Sequence, residues 1–263
     1  MLVKIIVATH KAYRMPTDPM YLPVFVGAKG KKSIGFQRDD EGENISELNP
    51  FFCELTGLYW AWKNLECDYL GLVHYRRHFS TKKKTASWES VLKQDDRKEE
   101  LGKIKVFVPG KRRYLIENLY DHYKHTHYAE QLDETRHIIE ENYPEYVEAY
   151  DKTIKQTWGY MFNMMIMEKG LADEYCEWLF DILFMLRGRC SAEGLSPYQA
   201  RYFGRVSEIL FNVWLNQKLT VGTLRPKEVK EIPFISMEKV NWGKKGMAFL
   251  RAKFLGKRYE GSF

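Results

Sequence analysis

A short, uninterrupted apolar run is followed at once by a cationic and aromatic cluster. The run extends from Tyr69 to Val73, and His74, Tyr75, Arg76 and Arg77 come directly after it. Such a run is typical of a strand buried on both faces, in a sheet covered by helices. Ligands of open α/β sheets bind beyond the carboxyl ends of the strands, so the cluster is a candidate anion site. A solvated basic loop after a core strand is the alternative that this run leaves open.

Extended backbone would divide these four side chains between two faces. His74 and Arg76 would then point one way, and Tyr75 and Arg77 the other, unless the chain turns there. We therefore expect only part of the cluster to face a ligand.

The preceding residues complete a strand–helix–strand pattern. The segment Leu2 to Ala8 is typical of a first strand, and Thr9 and His10 follow at the end where nucleotides are contacted in such sheets. The pair Asn49-Pro50 predicts a helix start with Asn49 as N-cap, and apolar residues continue at helical spacing to Trp62. Alternating elements of this kind predict a mainly parallel central sheet.

Adjacent carboxylates stand in the polar segment between residues 35 and 46. Asp39 and Asp40 are neighbours there, and paired carboxylates suit metal binding or general-base catalysis. An acidic surface loop is the more common cause of such a pattern. The sequence leaves both interpretations open.

A second basic cluster follows the next strand candidate. Ile104 to Val108 is β-like, and Lys111, Arg112 and Arg113 come shortly after it. Solvated surface is the default interpretation. Two such clusters at strand ends nevertheless strengthen the prediction of an anion site.

Three histidines stand close together after this cluster. His122, His125 and His127 have a spacing that could bind a metal ion, because neutral imidazole is a common ligand. No thiol stands near them, and the stretch is rich in Tyr and Lys. We therefore favour polar lining of a substrate cleft over a metal site.

The later part of the chain predicts one more strand and two helices. Tyr160 to Met167 is a buried strand candidate whose one polar side chain, Asn163, needs a hydrogen-bonding partner. Gly170 to Arg187 predicts an amphipathic helix. Ser196, with Gln199 three residues later, predicts a helix start that continues to residue 215.

One face of this last helix carries Arg201, Arg205 and Glu208, with Gly204 on the small-residue side. A solvated face with ion pairs at helical spacing explains the pattern, and so does the wall of a cleft. Glycine within a helix costs about 1 kcal/mol relative to alanine, which suggests a contact at Gly204.

The composition of the whole chain limits the class of protein but does not identify a function. The 263 residues fit one α/β domain, and the net charge of +6 favours anionic partners. Four cysteines show no metal-binding spacing and are expected to be free thiols in a reducing cytoplasm. The N-terminus does not resemble a signal peptide, and no apolar run is long enough to cross a membrane.

The C-terminal segment from Lys239 to Arg258 is basic and interleaved with aromatic and aliphatic residues. A tail of this kind is typical of an interfacial membrane anchor. A terminal helix with a basic outer face would give the same pattern. We expect a domain at 1–238 and a basic amphipathic tail at 239–263.

Five segments together resemble a known family. They are Val-Ala-Thr-His-Lys at 7–11, Gly-Glu-Asn-Ile-Ser at 42–46, Glu-Leu-Thr-Gly-Leu-Tyr-Trp-Ala-Trp-Lys at 54–63, Leu-Val-His-Tyr-Arg-Arg at 72–77 and Gly-Arg-Val-Ser-Glu at 204–208. In this order they resemble a glycosyltransferase family of capsular and exopolysaccharide gene clusters, catalogued as a domain of unknown function, with His-Tyr-Arg-Arg as its signature. The resemblance covers nearly the whole chain.

The resemblance implies a GT-A-like α/β fold and a hexosyltransferase activity. The implied donor is a nucleotide sugar, most simply a UDP-sugar of galactose or galactofuranose, and the implied acceptor is a lipid-linked saccharide. The enzyme would work in the cytoplasm, at the inner face of the cell membrane. Such enzymes commonly hold a divalent metal with Asp-x-Asp at a central strand end, where this chain has His-Tyr-Arg-Arg.

Site roles follow as expectations from this resemblance. Donor contacts are expected from Thr9, His10, Asp39, Asn44, His74, Tyr75, Arg76 and Arg77, and acceptor or cleft contacts from His122, His125, Asn163, Arg201 and Arg205. Glu208, or else Asp40, is the expected base of an inverting transfer. Because arginine can bind phosphate oxygens in a bidentate manner, no metal is expected to be required, although Mn²⁺ or Mg²⁺ could take part.

Two other classes of function stay open. A nucleic-acid-binding protein would use the basic clusters and the tail, although no known recognition motif is present. A metal-dependent hydrolase would use His122, His125 and His127.

Overall fold

The computed structural model describes residues 1–82 and 87–238. In that part of the chain, nine strands form one sheet and two short strands form a separate ribbon. The strands are β1 (Val3–Thr9), β2 (Tyr21–Phe25), β3 (Gln37–Arg38), β4 (Tyr69–His74), β5 (Arg77–Phe79), β6 (Val106–Pro109), β7 (Arg112–Arg113), β8 (Trp158–Gly159), β9 (Met165–Glu168), β10 (Val229–Ile232) and β11 (Phe234–Ser236). The α-helices are α1 (Asn49–Phe52), α2 (Leu55–Asn64), α3 (Leu119–Thr126), α4 (Glu130–Asn142), α5 (Val147–Ile154), α6 (Lys169–Arg189) and α7 (Tyr202–Thr220).

The large sheet follows the order β10-β6-β9-β4-β1-β2-β3, and β5 and β11 extend it beyond the end of β4. Strand β1 pairs in parallel with β2 and β4, β2 with β3, and β6 with β10. Strand β9 runs antiparallel between β4 and β6. The predicted mainly parallel sheet is confirmed, and the carboxyl ends of β1, β2 and β4 therefore meet at one edge.

Strand β4 is buried on both faces, as its apolar run predicts. Leu70 and Leu72 belong to the larger hydrophobic core, whereas Tyr69 and Val73 belong to the smaller core on the other side. The division follows from the two-residue period of a strand, in which successive side chains point to opposite faces. Helices cover the sheet on the larger side, with α2, α6 and α7 contributing most of their apolar residues there.

The two predicted helices of the later chain are present. The amphipathic segment forms α6, and the segment after Ser196 forms a 3₁₀ turn that leads into α7. The Ser196 Oγ accepts a hydrogen bond from the backbone nitrogen of Gln199 at 3.2 Å. The 3₁₀ turn nevertheless begins at Gln199 with Tyr198 as its N-cap, and α7 begins at Tyr202, so the helix starts later than predicted.

The predicted helix at residues 49–62 is divided in two. Helix α1 ends at Cys53, where φ is 54° and ψ is −129°, and α2 begins two residues later. Asn49 is the first residue of α1 and not its N-cap, so that assignment was wrong. Its side chain instead stabilises the break, because Nδ2 donates to the Cys53 carbonyl at 2.7 Å and to Thr56 Oγ1 at 3.1 Å.

The predicted strand at residues 160–167 is also shorter than expected. Its first part is a turn in which Phe162 and Asn163 have φ values of 74° and 53°. Asparagine tolerates this left-handed conformation better than most residues. The Asn163 side chain anchors the turn to α7, because Nδ2 donates to the Gly204 carbonyl at 3.0 Å and Oδ1 accepts from Ser207 Oγ at 3.0 Å.

The predicted basic tail, 239–263, lies outside the described residues, and the domain boundary at 238 stays a prediction. Among the described helices, none has both the length and the apolar character that crossing a bilayer would require.

Candidate active site

A cavity of about 190 Å³ lies at the carboxyl end of β4. Its walls are the β4–β5 turn, the α1–α2 break, the segment from β7 to α3, the turn before β9, and the first turns of α7. The charged and titratable lining includes five arginines, two carboxylates and three imidazoles: Arg76, Arg77, Arg112, Arg201, Arg205, Glu54, Glu208, His74, His122 and His127. This excess of positive charge suits the cavity to an anionic ligand.

A tight turn determines which residues of the strand-end cluster face the cavity. His74 pairs with Arg77 in antiparallel fashion, so the chain reverses through Tyr75 and Arg76. His74, Arg76 and Arg77 therefore line the cavity together. Tyr75 is buried in the smaller core, edge-on to His10 at 5.3 Å between ring centroids. The strict alternation of an extended strand does not apply because the chain turns here.

The Arg77 guanidinium lies over the Phe162 ring, 4.5 Å from its centroid. Burial, and then the charge of Arg76, lower the pKa of Arg77 below its usual value. No carboxylate of residues 1–82 or 87–238 forms an ion pair with it. The charges of Glu208 and Glu54 act on Arg77 only from beyond ion-pair distance. A desolvated guanidinium with no carboxylate in direct contact is suited to bind an incoming anion.

Arg76 has a counterion from the end of the described chain. Its Nη1 lies 3.0 Å from Oε2 of Glu238, and both side chains are about two-fifths exposed at 40% and 41%. The Arg76 carbonyl also accepts a hydrogen bond from the nitrogen of Met237 at 2.8 Å, next to the pairing of β11 with β5. An anionic ligand at Arg76 would therefore compete with Glu238.

The first turns of α7 supply both charge signs. Arg205 Nη1 lies 3.1 Å from Oε1 of Glu208, whose residue is only 4% exposed. Burial acts against the Arg205 cation, but the charges of Glu208, Tyr198, Glu54 and Cys53 together outweigh it and keep the pKa of Arg205 above its usual value. Arg201 Nε donates to Cys53 Sγ at 2.9 Å, which connects α7 to the α1–α2 break.

Glu54 is a lining residue that we did not single out from the sequence. The helix break at Cys53 places it against the turn before β9, where Oε1 accepts from Asn163 Nδ2 at 2.8 Å. Burial alone would raise the pKa of Glu54, but the charge of His74 and this hydrogen bond hold it below its usual value. The available signal was Asn163, a polar residue in an apolar run that needed a partner.

The three histidines of the α3 region do not converge. Glu117 joins two of them, with Oε2 3.2 Å from His122 Nδ1 and Oε1 2.7 Å from His125 Nδ1. His127 instead contacts Gln199 through Nδ1 at 2.8 Å. His122 and His127 line the cavity, whereas His125 does not.

A metal site is not supported by the donor groups that the structure describes. No group of three or more His, Cys, Asp or Glu in residues 1–82 and 87–238 could hold a metal ion. At the end of β4, where an Asp-x-Asp motif would offer carboxylates, the cavity has guanidinium groups that repel a cation. These residues do not fit a divalent metal.

Asp39 lies outside the cavity lining and is fully buried directly after β3. It accepts hydrogen bonds from the backbone nitrogens of Gly27 and Ala28, and from the hydroxyls of Ser46 and Thr56. Four donors from the protein itself surround this carboxylate. It therefore stabilises the loop.

Asp40 turns away from Asp39 and binds Arg38, with 2.8 Å between Oδ2 and Nη2. This hydrogen bond to Arg38 lowers the pKa of Asp40. Asn44 bonds only within its own loop, through Gly42 and Ser46. The structure does not bring these residues to the cationic cavity.

Thr9 and His10 also lie beside the cavity and not in its lining. The Thr9 hydroxyl donates to the carbonyl of Lys11 at 2.7 Å. Burial lowers the pKa of His10, and so do the charges of Lys11, Arg76 and Arg201. His10 is therefore close enough for the charges of Arg76 and Arg201 to affect its pKa.

The second basic cluster contributes one residue to the cavity. The Arg112 guanidinium lies over the ring of Tyr114 at 4.8 Å, and both line the cavity opposite the β4–β5 turn. Two arginines that line the cavity, Arg77 and Arg112, thus lie over aromatic rings. Stacking of this kind leaves the donor edge of a guanidinium available.

Comparisons with known proteins agree with this architecture. Residues 4–219 match a family described as a domain of unknown function, DUF4422. The chain is similar to a solved structure described as the WbbM bifunctional glycosyltransferase in its apo form, with 31% identity and a TM-score of 0.78. The match covers 90% of this chain but 45% of that one, so this chain spans less than half of its length. No curated protein matches the chain. The structural match confirms the predicted fold class, an α/β, GT-A-like domain with a central sheet flanked by helices.

Proposed function

The chain belongs to the DUF4422 family, and from this membership and the likeness to a glycosyltransferase we propose that it transfers a sugar from a nucleotide-sugar donor to a saccharide acceptor. The observation that carries the proposal is the cationic cavity at the carboxyl end of β4. Such a cavity meets the main electrostatic demand of this reaction, which is to stabilise a departing diphosphate.

The diphosphate is assigned to the β4–β5 turn. Arg77 has no ion-pair partner among the described residues, and Arg76 has only the half-exposed Glu238. Guanidinium groups bind phosphate oxygens in a bidentate manner, and fixed charges aimed at a developing anion stabilise the transition state. These two arginines, supported by Arg205, supply the charge that a metal ion supplies elsewhere. We therefore propose a transfer that requires no metal.

Glu208 is the proposed base. It is buried in the cavity wall, beside the arginines, whereas Asp40 lies outside the cavity and is held by Arg38. In the proposed step, the acceptor oxygen forms a bond to the anomeric carbon as the bond to the diphosphate breaks. The acceptor proton passes to the Glu208 carboxylate, and the configuration of the sugar inverts. Glu54 is the alternative carboxylate for this role.

The finer assignments rest on the sequence resemblance. We propose a UDP-sugar of galactose or galactofuranose as donor and a lipid-linked saccharide as acceptor. The context is capsular or exopolysaccharide assembly at the cytoplasmic face of the cell membrane. The cationic lining of the cavity is compatible with this donor class.

A binding screen tests the proposal. Purified protein is titrated calorimetrically with UDP-, GDP- and dTDP-sugars, with Mn²⁺ and with a chelator. We expect one nucleotide class to bind in both conditions, and Arg76→Ala to weaken it at least tenfold. Arg189→Ala, which removes an arginine bound to Glu141 on the surface, is the matched control.

Three results would contradict the proposal. Binding of no sugar nucleotide would remove it, and strict dependence on Mn²⁺ would remove its metal-free form. Steeply salt-dependent RNA or DNA binding without sugar-nucleotide binding would favour a nucleic-acid-binding protein instead.

A further inference from the structure

Two neighbouring apolar side chains are strongly exposed at the edge of the cavity. Leu115 is 95% exposed and Ile116 is 63% exposed. Leu115 is the most exposed large apolar side chain in the part of the chain that the structure describes. Single exposed apolar residues are ordinary, but an adjacent pair on a loop tip is a candidate contact surface.

The loop that carries this pair is anchored at both ends. The nitrogen of Tyr114 donates to the Thr157 carbonyl at 2.7 Å, and that of Leu119 donates to the Gln156 carbonyl at 2.9 Å. Between them, Glu117 is buried against the histidines of α3. These contacts fix both ends of the loop, and Leu115 and Ile116 between them remain exposed to solvent.

The loop also borders the cavity of the proposed active site. Tyr114 before the tip and Leu119 after it both line the cavity. Whatever the tip contacts must therefore lie close to this cavity.

Basic residues flank the tip in sequence. Arg113 and Lys124 are exposed, and Lys111 lies over the ring of Trp158 at 4.1 Å. Glu117 binds histidines, the charges of Glu231 and Lys111 offset each other in an ion pair, and Asp121 is half-buried. The exposed charges next to the tip in sequence, those of Arg113 and Lys124, are therefore positive.

We propose that the loop of residues 111–119 docks on an anionic lipid surface, with Leu115 and Ile116 inserted among the acyl chains. Apolar insertion combined with a basic rim is the chemistry that holds peripheral proteins at a bilayer, and Trp158 suits the headgroup level. A protein partner fits less well, because a stable interface buries about 800 Å² on each side and two side chains supply far less. This docking goes beyond the proposed transfer and does not depend on it.

Docking would bring the cavity close to the membrane. An acceptor anchored in the bilayer would then reach the cavity without leaving the lipid. The basic tail at 239–263 stays a separate prediction, and the test below reports on the loop alone.

The test places an environment-sensitive fluorophore at the tip of the full-length chain. Leu115→Cys is labelled with a nitrobenzoxadiazole group and mixed with phosphatidylcholine vesicles, with and without phosphatidylglycerol. We expect a several-fold rise in fluorescence on the anionic vesicles. Val221→Cys, at another apolar position that is 59% exposed, is the control and should not respond. The unsubstituted protein, labelled in parallel, corrects for Cys67, which is half-buried.

A second variant measures the contribution of the tip to affinity. Leu115→Ser combined with Ile116→Ser should weaken partitioning into anionic vesicles at least about tenfold, because two apolar side chains no longer leave water. Val221→Ser should leave partitioning unchanged. An unresponsive label at residue 115, or equal responses at 115 and 221, would overturn the proposal. Donor binding, measured on the same variants, should be retained, so a failure of docking is distinguished from a failure of the proposed transfer.

Discussion

At the scale of single residues, two carboxylates face one cavity but have different partners. Glu54 receives a hydrogen bond from Asn163, which favours its ionised form, and its pKa is lowered. Glu208 forms an ion pair with Arg205 on its own helix. A ligand that draws Arg205 toward a phosphate would release Glu208 for proton transfer. This coupling is a physical reason to assign the base to Glu208.

Glu208→Gln should lower kcat about 100-fold or more while donor affinity changes less than about threefold, because a general base contributes 10² to 10⁴ to the rate. Steady-state kinetics with the donor identified in the screen, together with calorimetry, measure both effects. Asp40→Asn removes the same charge outside the cavity and should keep kcat near that of the natural protein. Equal turnover of Glu208→Gln and the unchanged chain would contradict the assignment.

His78 is a buried histidine just after the turn that presents Arg76 and Arg77. It is 0% exposed, and its Nε2 lies 3.2 Å from the Tyr75 carbonyl. Burial lowers the pKa of His78 from 6.5 to about 4. The imidazole is therefore neutral in the fold at neutral pH, and Nε2 donates to the carbonyl.

This lowered pKa predicts a loss of stability in mild acid. The unfolded chain binds a proton near pH 6.5 and the folded chain only near pH 4, so the contribution is complete above pH 6.5 and is lost as the pH falls toward 4. At pH 5 the loss is on the order of 2 kcal/mol. Thermal unfolding at pH 7 and pH 5 should show a smaller difference for His78→Gln than for the natural chain. The same difference in both proteins would show that another group is responsible.

At the scale of elements, the break between α1 and α2 is what brings Glu54 and Cys53 to the cavity. A continuous helix over residues 49–64 would carry these side chains along its own surface, with no bend toward α7. The side chain of Asn49 donates to the Cys53 carbonyl at the break at 2.7 Å, and this carbonyl also accepts from the Thr56 nitrogen at 3.3 Å. One asparagine thus stabilises the geometry of a site that it does not line.

Asn49→Asp removes this donor and should lower the free energy of unfolding by about 1–3 kcal/mol. Sugar-nucleotide affinity should fall as well, because Glu54 is then less firmly placed. Chemical denaturation and calorimetry measure the two effects. Asn44→Asp, the same substitution in an exposed loop, is the control and should change neither quantity appreciably. A destabilised variant with unchanged sugar-nucleotide affinity would show that the helix break at Cys53 does not position the ligand-binding residues.

Patterns with a regular period could be predicted from the sequence, and departures from the period could not. The two-sided burial of β4 and the extent of α6 follow from apolar spacing, whereas α7 begins and ends about five residues later than predicted. The turn at Tyr75 and the break at Cys53 depend on tertiary partners, so residue type alone gave no warning of them. The same limit explains Glu54, which looked like an ordinary polar position of a helix.

The cationic cluster after β4 lines a cavity, whereas several residues expected from other strands and loops lie outside that cavity. That the cavity binds an anion stays a prediction. His74, Arg76, Arg77, Arg201, Arg205 and Glu208 meet in one cavity. Asp39 and Asp40 stand near them in sequence order but bind their own loop and Arg38. Adjacent carboxylates give no indication of which hydrogen-bond donors already surround them in the fold.

At the scale of the whole molecule, the sheet topology concentrates positive charge at one edge. Strands β1 and β4 run in parallel, so the residues that follow them are gathered together, and α7 adds its first turns to the same place. The antiparallel β9 brings the Phe162–Asn163 turn to that edge as well. The cavity is thus a product of strand direction as much as of residue type.

The guanidinium of Arg77, which has no ion-pair partner among the described residues, has a further consequence: it sets thermal stability against ligand binding. In the unliganded fold it is a source of electrostatic frustration, because its charge is desolvated and faces Arg76. Arg77→Met should therefore raise the melting temperature by about 2–4 °C, the shift expected for about 1 kcal/mol in a protein of this size. The same change should abolish the added stability that a nucleoside diphosphate gives the natural chain, and scanning calorimetry with and without the ligand measures both. A lower melting temperature for the variant would mean that Arg77 is needed for folding. The expected result would mean that screening libraries of this protein for heat resistance alone selects against the residue that the ligand needs most.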